Sequence, residues 1–370
     1  MPATTLTPSD AAVQSPAADW RLDIPEPRRR LLRAWLWAVA LMTLGVVVVG
    51  GITRLTLSGL SIVEWNPVTG VIPPIGHAAW ERAFEAYRQT PDYEWRSGMT
   101  LADFRFIYFW EYLHRLLART IGLVFLVPFV FFQAKGWLNR PMLRRSLLLF
   151  GLGAAQGLMG WLMVASGLVD RPSVSHYRLA AHLSLAFVIF GFSIWLTREL
   201  SVRAVRASLD ETTRRWLGRG LAAVGTLLCL QIVWGAFVAG LRGGKYYPTF
   251  PLMGGRWVPR ELLYQEPAIA NFFANAIAVQ WTHRVLGTLL LLAVLVVAVR
   301  VARRVAEPTT RRFALALGAG VALQYALGIL TLVHIVPVSL GVLHQLTAAL
   351  LFGTWIAWLH HFRNTRAQPA

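Results

Sequence analysis

Apolar residues run along this chain in long stretches separated by short polar segments, and eight of the stretches are long enough to cross a bilayer. A hydrocarbon core of about 30 Å takes about 20 residues as helix. The pattern predicts spans near 33–51, 105–132, 146–167, 179–198, 217–240, 277–300, 312–335 and 339–362. The expected fold class is therefore an all-α integral membrane protein with eight transmembrane helices. Residues before about Pro27 are rich in Ala, Ser, Thr and Pro and carry too little apolar surface to offset the entropy of ordering, so residues 1–30 are expected to form a disordered cytoplasmic tail. No small-residue cleavage pattern follows the first span, which reads as a retained helix rather than a signal peptide.

Composition supports the same class: 56% of the 370 residues are hydrophobic and 15% are charged. The net charge of +18 raises the question of nucleic acid, but the distribution of the charge answers it. Clusters at Arg28 to Arg33, Lys135 to Arg145, Arg198 to Arg219 and Arg300 to Arg312 fall on alternate inter-span segments, with Arg363 and Arg366 in the tail. Lys and Arg collect on the cytoplasmic side of short loops. Both termini are thus expected in the cytoplasm, with 52–104, 168–178, 241–276 and 336–338 facing outward, and nucleic acid is not an expected partner. The single cysteine, Cys229, lies inside a span, so no internal disulfide forms.

The chain reads as a duplication. Glu111-Tyr-Leu-His114-Arg115 in the second span corresponds to Gln280-Trp-Thr-His283-Arg284 in the sixth, and Gln156-x-x-x-Gly160 in the third to Gln324-x-x-x-Gly328 in the seventh. Gly45 and Gly50 in the first span match the spacing of Gly235 and Gly240 in the fifth, and His182 in the fourth matches His344 in the eighth. Because each half has an even number of spans, both enter the membrane in the same direction. Two tandem, parallel-related four-helix bundles are expected, an N-terminal half over 31–200 and a C-terminal half over 201–370. The glycines Gly151, Gly153, Gly157, Gly160, Gly235, Gly240, Gly318, Gly320 and Gly328 are read as helix-packing positions.

His114, His182, His283 and His344 all lie near the outward ends of spans that run inward, two in each half. Two imidazoles at one height on facing helices of a bundle suit the axial positions of a heme iron. A zinc site would want four tetrahedral ligands, and a di-iron bundle several Glu with two Glu-x-x-His motifs; only one such motif exists here. His77, His176, His334, His360 and His361 read instead as interfacial polar residues.

The halves differ at one informative position, where Glu111 corresponds to Gln280. An acid near the membrane interior is costly without a function or a partner. It either pairs with Arg115, Arg105 or another outward Arg, or serves as the catalytic carboxylate of a reacting first half, with the second half moving electrons. The long outward loops 52–104 and 241–276 suggest lids, and 77–88 places Trp80, Phe84 and Tyr87 on one side of a helix lying on the membrane surface or over a pocket. Arg54, Arg96, Arg242 and Arg256 are candidate partners for heme propionates.

From about Ala34 to His361 the sequence resembles heme A synthases of the mitochondrial and alphaproteobacterial type. The resemblance is carried by Gly50-Gly51-Ile-Thr-Arg54-Leu-Thr-x-Ser58-Gly-Leu-Ser61, Glu64-Trp65-Asn-Pro67, Glu111-Tyr-x-His114-Arg115, Phe250-Pro251-Leu-Met253, His283-Arg284, and Val336-Pro337 before Leu343-His344-Gln345. It implies a bacterial inner-membrane oxidoreductase that converts the C8 methyl of heme O to a formyl group through a hydroxymethyl intermediate. It further implies a heme b cofactor on His283 and His344, heme O as substrate between His114 and His182, and Glu111 as catalytic carboxylate, with the heme sites toward the periplasm. Expected partners are membrane lipid, heme O synthase, oxidase assembly factors and further copies of the chain. The cysteine pair found in an outward loop of some relatives has no counterpart here. Two rival readings are a b-type cytochrome that only carries electrons and a transporter built from parallel repeats, which would show broken helices at mid-membrane.

Overall fold

The computed structural model of the chain describes residues 20–64, 66, 69–167, 174–201 and 208–368. Most of the N-terminal tail, residues Trp65 and Pro67 of the second motif, and part of the outward connection 168–178 lie outside the described residues. Among the described residues eight helices are long and apolar enough to span a membrane. They are α1 (Glu26–Leu55), α4 (Leu101–Ala134), α5 (Arg140–Gly167), α6 (His176–Glu199), α7 (Glu211–Gly240), α9 (Ala276–Arg304), α10 (Pro308–Val333) and α11 (Val338–Arg363). Seven contain the span that hydrophobicity predicts, while α10 ends at Val333, two residues short of the expected 335. Three shorter helices, α2 (His77–Arg88), α3 (Pro91–Glu94) and α8 (Asn271–Ala274), lie in the two long outward loops.

The helix ends follow from local chemistry. Orphan N–H groups of a first turn need acceptors, and Thr100 with Asp103 supplies them for α4 as a reciprocal capping box. Asp210 accepts from Thr213 N at the start of α7, and Asn275 from Ile277 N at the start of α9. Pro128 sits inside α4, whose helix continues past it to Ala134; α4 and its seven counterparts are continuous, unlike the broken helices of the transporter reading.

Helices α1, α4, α5 and α6 pack together, as do α7, α9, α10 and α11, and the halves meet where α1 lies against α11, α6 against α7, and α6 against α11. Exchanging α1 for α7 and α6 for α11 maps this set of contacts onto itself, which is the expectation for parallel repeats. The α6–α11 contact is built from the same dipeptide twice. A Cβ on Gly191 would come within 2.6 Å of the Phe352 ring, and one on Gly353 within 3.1 Å of the Phe190 ring. Phe190-Gly191 and Phe352-Gly353 stand at the same distance after His182 and His344, a repeat the sequence reading passed over. Two polar clasps join the halves besides. Arg54 Nη2 donates to the carbonyls of Ala239 (2.8 Å) and Gly240 (3.0 Å) at the C-terminal end of α7, and Gln345 Nε2 donates to Val47 O at 2.8 Å. A guanidinium there meets unpaired carbonyls and the negative end of the helix dipole.

Not every small residue serves packing. Nothing lies within 4 Å of a Cβ built at Gly45, Gly151, Gly153 or Gly157, so the packing role expected of the three glycines early in α5 is not present. A two-stranded parallel pairing, β1 (Ser208–Asp210) with β2 (Arg366–Gln368), ties the chain before α7 to the tail after α11. Three residues a side leave no periodicity for a sequence to display, and no strand was expected.

At the start of α10, Glu307 accepts from Thr309 N (2.9 Å) and Thr310 N, and its carboxylate lies 3.2 Å from His361 Nε2. Burial opposes its ionisation, but hydrogen bonds from Thr310, Thr309 and His361 prevail and bring its pKa from 4.5 down to about 2. A depressed folded-state pKa contributes stability that is present above the unfolded value and lost as pH falls through the folded one. Glu307→Gln is expected to lower the stability of the detergent-solubilised protein by about 1 kcal/mol at pH 7. The gap from the parent should narrow in thermal melts as pH is lowered from 4.5 toward 2.

Candidate functional site

The four histidines singled out by their depth share one environment. Each imidazole lies against a glycine of the adjacent helix, so that a Cβ on that glycine would crowd the ring at Cε1. The distances would be 2.8 Å for Gly50 of α1 on His114, 3.4 Å for Gly160 of α5 on His182, 3.1 Å for Gly235 of α7 on His283 and 3.0 Å for Gly328 of α10 on His344. In every case Nδ1 is nearer the glycine than Nε2 is, or is the only ring nitrogen near it. The ring thus backs onto the neighbouring helix through its Cε1–Nδ1 edge. These contacts also correct the repeat register. Gly50 is the counterpart of Gly235, and Gly45, which sequence spacing matched to Gly235, faces open space.

A glutamine one turn before the glycine reaches three of the rings. Gln156 Nε2 is 3.2 Å from His182 Nε2, Gln231 Nε2 is 3.3 Å from His283 Nε2, and Gln324 Nε2 is 3.2 Å from His344 Nδ1. Buried polar atoms are left over: Nδ1 of His114, His182 and His283, and Oε1 of Gln156 and Gln231, have no hydrogen-bond partner. Such groups are expensive unless something else engages the ring. His114 lies within electrostatic range of His182, and His283 of His344. Paired imidazoles, each backed by a helix that the absence of a Cβ lets close in, fit the axial positions of a porphyrin iron. Among the described residues no three or more His, Cys, Asp or Glu side chains gather in a way that could hold a bare metal ion.

Glu111 is 2% exposed and fully engaged. Its Oε1 accepts from Arg115 Nη2 at 2.6 Å, while Oε2 accepts from Ser61 Oγ at 2.7 Å and from the Ile62 amide at 2.8 Å. The pairing with Arg115, one of the two alternatives open at the sequence level, is therefore present, and the carboxylate also fastens the start of the outward loop. Arg115 donates onward to Ile62 O (3.0 Å) and Glu64 O (3.3 Å). In the second half Arg284 does the same, donating to Tyr247 O (2.7 Å) and Thr249 O (2.8 Å). The repeated His-Arg pair thus divides its labour: the histidine turns toward the bundle and the arginine holds the loop above it. Gln280 lends only its amide nitrogen, 3.3 Å from Tyr247 O, and its Oε1 is left without a partner.

The outward segment 77–88 is helical, as its pattern predicts, and its aromatic face packs on the outer end of α4. Phe84 and Tyr87 stack on Phe104 at 5.0 and 5.3 Å, and Trp80 meets Tyr108 edge-on at 5.0 Å. Burial, then the hydrogen bond to Asp92, holds the Tyr87 phenol above its ordinary pKa. Of the arginines considered for propionates, Arg54 is committed to the end of α7, and Arg96 to the carbonyl of Leu57 and the carboxylate of Asp92 at 3.6 Å. Arg242 has a left-handed backbone (φ 54°) just after α7, and Arg256 pairs its backbone with Met253. The remaining histidines have ordinary local partners. His77 meets Glu81, His176 the carbonyl of Phe273, His334 that of Leu330, His360 the Trp195 ring and His361 Glu307.

The sequence of residues 33–356 matches the family model described as cytochrome oxidase assembly protein. The chain is 44% identical to the heme A synthase of Parvibaculum lavamentivorans over 329 residues, 88% of this chain and 92% of that protein. It is 45% identical to the heme A synthase of Rhodopseudomonas palustris over 325 residues, 87% and 88% of the two chains. A third relative, the heme A synthase of Agrobacterium fabrum, is 45% identical over 341 residues, 92% and 91% of the two.

Removing the Glu111 carboxylate breaks its buried ion pair with Arg115, a loss of about 3–5 kcal/mol for such a pair. Glu111→Ala is expected to lower the melting temperature and to raise hydrogen exchange at the Ile62 amide, while exchange around Tyr247 in the other half stays at the parent rate. Unchanged protection at Ile62 would show that the carboxylate does not fasten the loop.

Proposed function

The chain belongs to the heme A synthase family, and from that membership we propose that it oxidises the C8 methyl of heme O to a formyl group through a hydroxymethyl intermediate, supplying heme A to terminal oxidases. It is a multi-pass protein of the bacterial inner membrane. The observation that carries the reading is the four-fold imidazole–glycine arrangement, two per half, with a buried carboxylate beside only one pair.

On this reading His283 and His344 hold heme b, and His114 and His182 receive heme O. Heme b, if bound there, would supply one-electron transfer. The glycines set how closely each histidine's helix approaches its neighbour, and the bundles keep bulk water from the rings. Arg115 and Arg284 fix the outward loops over the two sites, which puts those sites toward the periplasm if the cationic loops are cytoplasmic.

Glu111 serves the reacting half. A carboxylate can take a proton from the carbon being oxidised or stabilise positive charge developing on it. Both oxygens of Glu111 are already engaged, by Arg115 on one side and by Ser61 and Ile62 on the other. Electrostatic stabilisation requires no change in these bonds, whereas proton uptake requires one to open, so the geometry favours the electrostatic role. Heme O synthase as supplier and oxidase assembly factors as recipients complete the proposal.

Co-expression with a heme O synthase is expected to yield heme A on extraction and chromatography. Recovery of heme O alone from folded protein would favour the electron-carrying cytochrome. Glu111→Gln should abolish conversion, a loss on the order of 100-fold or more for a group acting in the transition state, while heme b remains bound. His283→Ala or His344→Ala should instead deplete heme b, read as loss of the low-spin absorbance of the purified protein.

A further inference from the structure

The four imidazoles are not held equally. Three face the motif Gln-x-x-x-Gly on the adjacent helix, at Gln156 and Gly160, Gln231 and Gly235, and Gln324 and Gly328. The fourth, His114, faces Val46-x-x-x-Gly50. Where the others have a glutamine one turn before the glycine, His114 has a valine, whose backbone carbonyl meets the ring. That carbonyl does not set His114 apart from the C-terminal rings, since Gln231 and Gln324 also present theirs to His283 and His344.

The amide matters because of what iron ligation asks of an imidazole. Once Nε2 is given to a metal, the proton sits on Nδ1, and that N–H needs an acceptor to fix the tautomer and the plane of the ring. Gln156 and Gln231 each have an unpartnered buried Oε1 beside a ring whose Nδ1 is likewise unpartnered. A rotation of the amide pairs the two and frees Nε2. Gln324 is itself held, donating to the His344 carbonyl at 3.0 Å and accepting from the Thr347 hydroxyl, with its amide nitrogen 3.2 Å from His344 Nδ1. His114 also has an unpartnered Nδ1, and Val46 offers it no side-chain acceptor. Its close contact with Gly50 is a steric wall, which limits approach but does not resist rotation of the ring.

We propose that Val46 makes His114 the exchangeable axial ligand, so that the N-terminal half releases its heme while the C-terminal half, braced by Gln231 and Gln324, retains one. This rests on the reading of His114 and His182 as the substrate pair and deepens it. One half must turn over a macrocycle at every cycle and the other must keep its own, and the two halves differ in bracing in that sense. Val46 acts through His114 and is a positioning residue.

The test uses the full-length protein in detergent, loaded with hemin in both halves, and follows transfer to excess apomyoglobin by absorbance. The parent should release heme in a fast and a slow phase. His114→Ala should remove the fast phase; if it removes neither phase, the assignment of the substrate pair fails and this inference falls with it. With that assignment standing, Val46→Gln should slow the fast phase on the order of 10-fold, as outer-shell partners of metal ligands do. It should also lower the reduction potential of that heme alone, because a braced Nδ1–H makes the imidazole more basic. Val46→Leu should leave both quantities at the parent values. Gln231→Leu should speed the slow phase by a similar factor, which keeps the idea testable if Val46→Gln does not fold. An unchanged fast phase in folded Val46→Gln, or an unchanged slow phase in Gln231→Leu, overturns the proposal.

Discussion

The arrangement of this protein depends on how closely a helix backbone can come to an imidazole. A ring turned edge-on to a neighbouring helix leaves little room for a Cβ at the point of contact, least at Gly50 (2.8 Å), then at Gly328 (3.0 Å) and Gly235 (3.1 Å), with ordinary contact at Gly160 (3.4 Å). In a membrane the apolar effect does little to bring helices together, so close contact must come from shape. Here the shape is set by histidine as much as by glycine. The spacing between α1 and α4, and between α7 and α9, is that of a backbone resting on a ring. A larger residue at Gly50, where a Cβ would come within 2.8 Å of the ring, would push back the ring or the helix.

The duplication made this device twice and then let the copies diverge. The His-Arg pair is retained in both halves, with the arginine fastening the outward loop through backbone carbonyls each time. Glu111 adds a buried charge to the fastening in the first half, and Gln280 removes it in the second. There Arg284 draws its bonds from the carbonyls of Tyr247 and Thr249. The halves diverge in opposite senses around the rings themselves. The first keeps the acid and has lost one amide, while the second keeps both amides and has lost the acid. A reacting site and a retaining site would be expected to part in that way.

The interface between halves brings the segments bearing the two pairs of histidines into mechanical contact. Gln345, next in sequence to His344, is bonded to Val47 of α1, and a Cβ at Gly51 would come within 2.7 Å of its Oε1. The adjacent residue, Gly50, carries the contact with His114. One short piece of α1 therefore touches the His114 ring on one side and the segment bearing His344 on the other. Arg54, a turn further on, anchors the same helix to the end of α7.

Some of this was decided by the sequence alone. Eight apolar runs of spanning length, alternate cationic loops, the two His-Arg pairs and the lone Glu111 are local or strictly periodic features, and hydrophobicity with simple repetition exposes them. The helix at 77–88 was legible for the same reason, since its aromatic side recurs at helical spacing. The partners were not. Whether a glycine packs, faces open space or backs a histidine depends on which helix lies across from it, so Gly157 and Gly160 look alike in sequence and differ in the fold. That Glu111 is bonded by Ser61 and Ile62 as well as Arg115 was hidden for the same reason, because those two reach it only when the outward loop folds back. The glutamine of Gln231-x-x-x-Gly235 and the valine of Val46-x-x-x-Gly50 stand in plain view along the chain, but their difference has meaning only once the four rings are seen facing them. Chain chemistry determines which groups are available, and the packing of helices distant in sequence decides which of them touch.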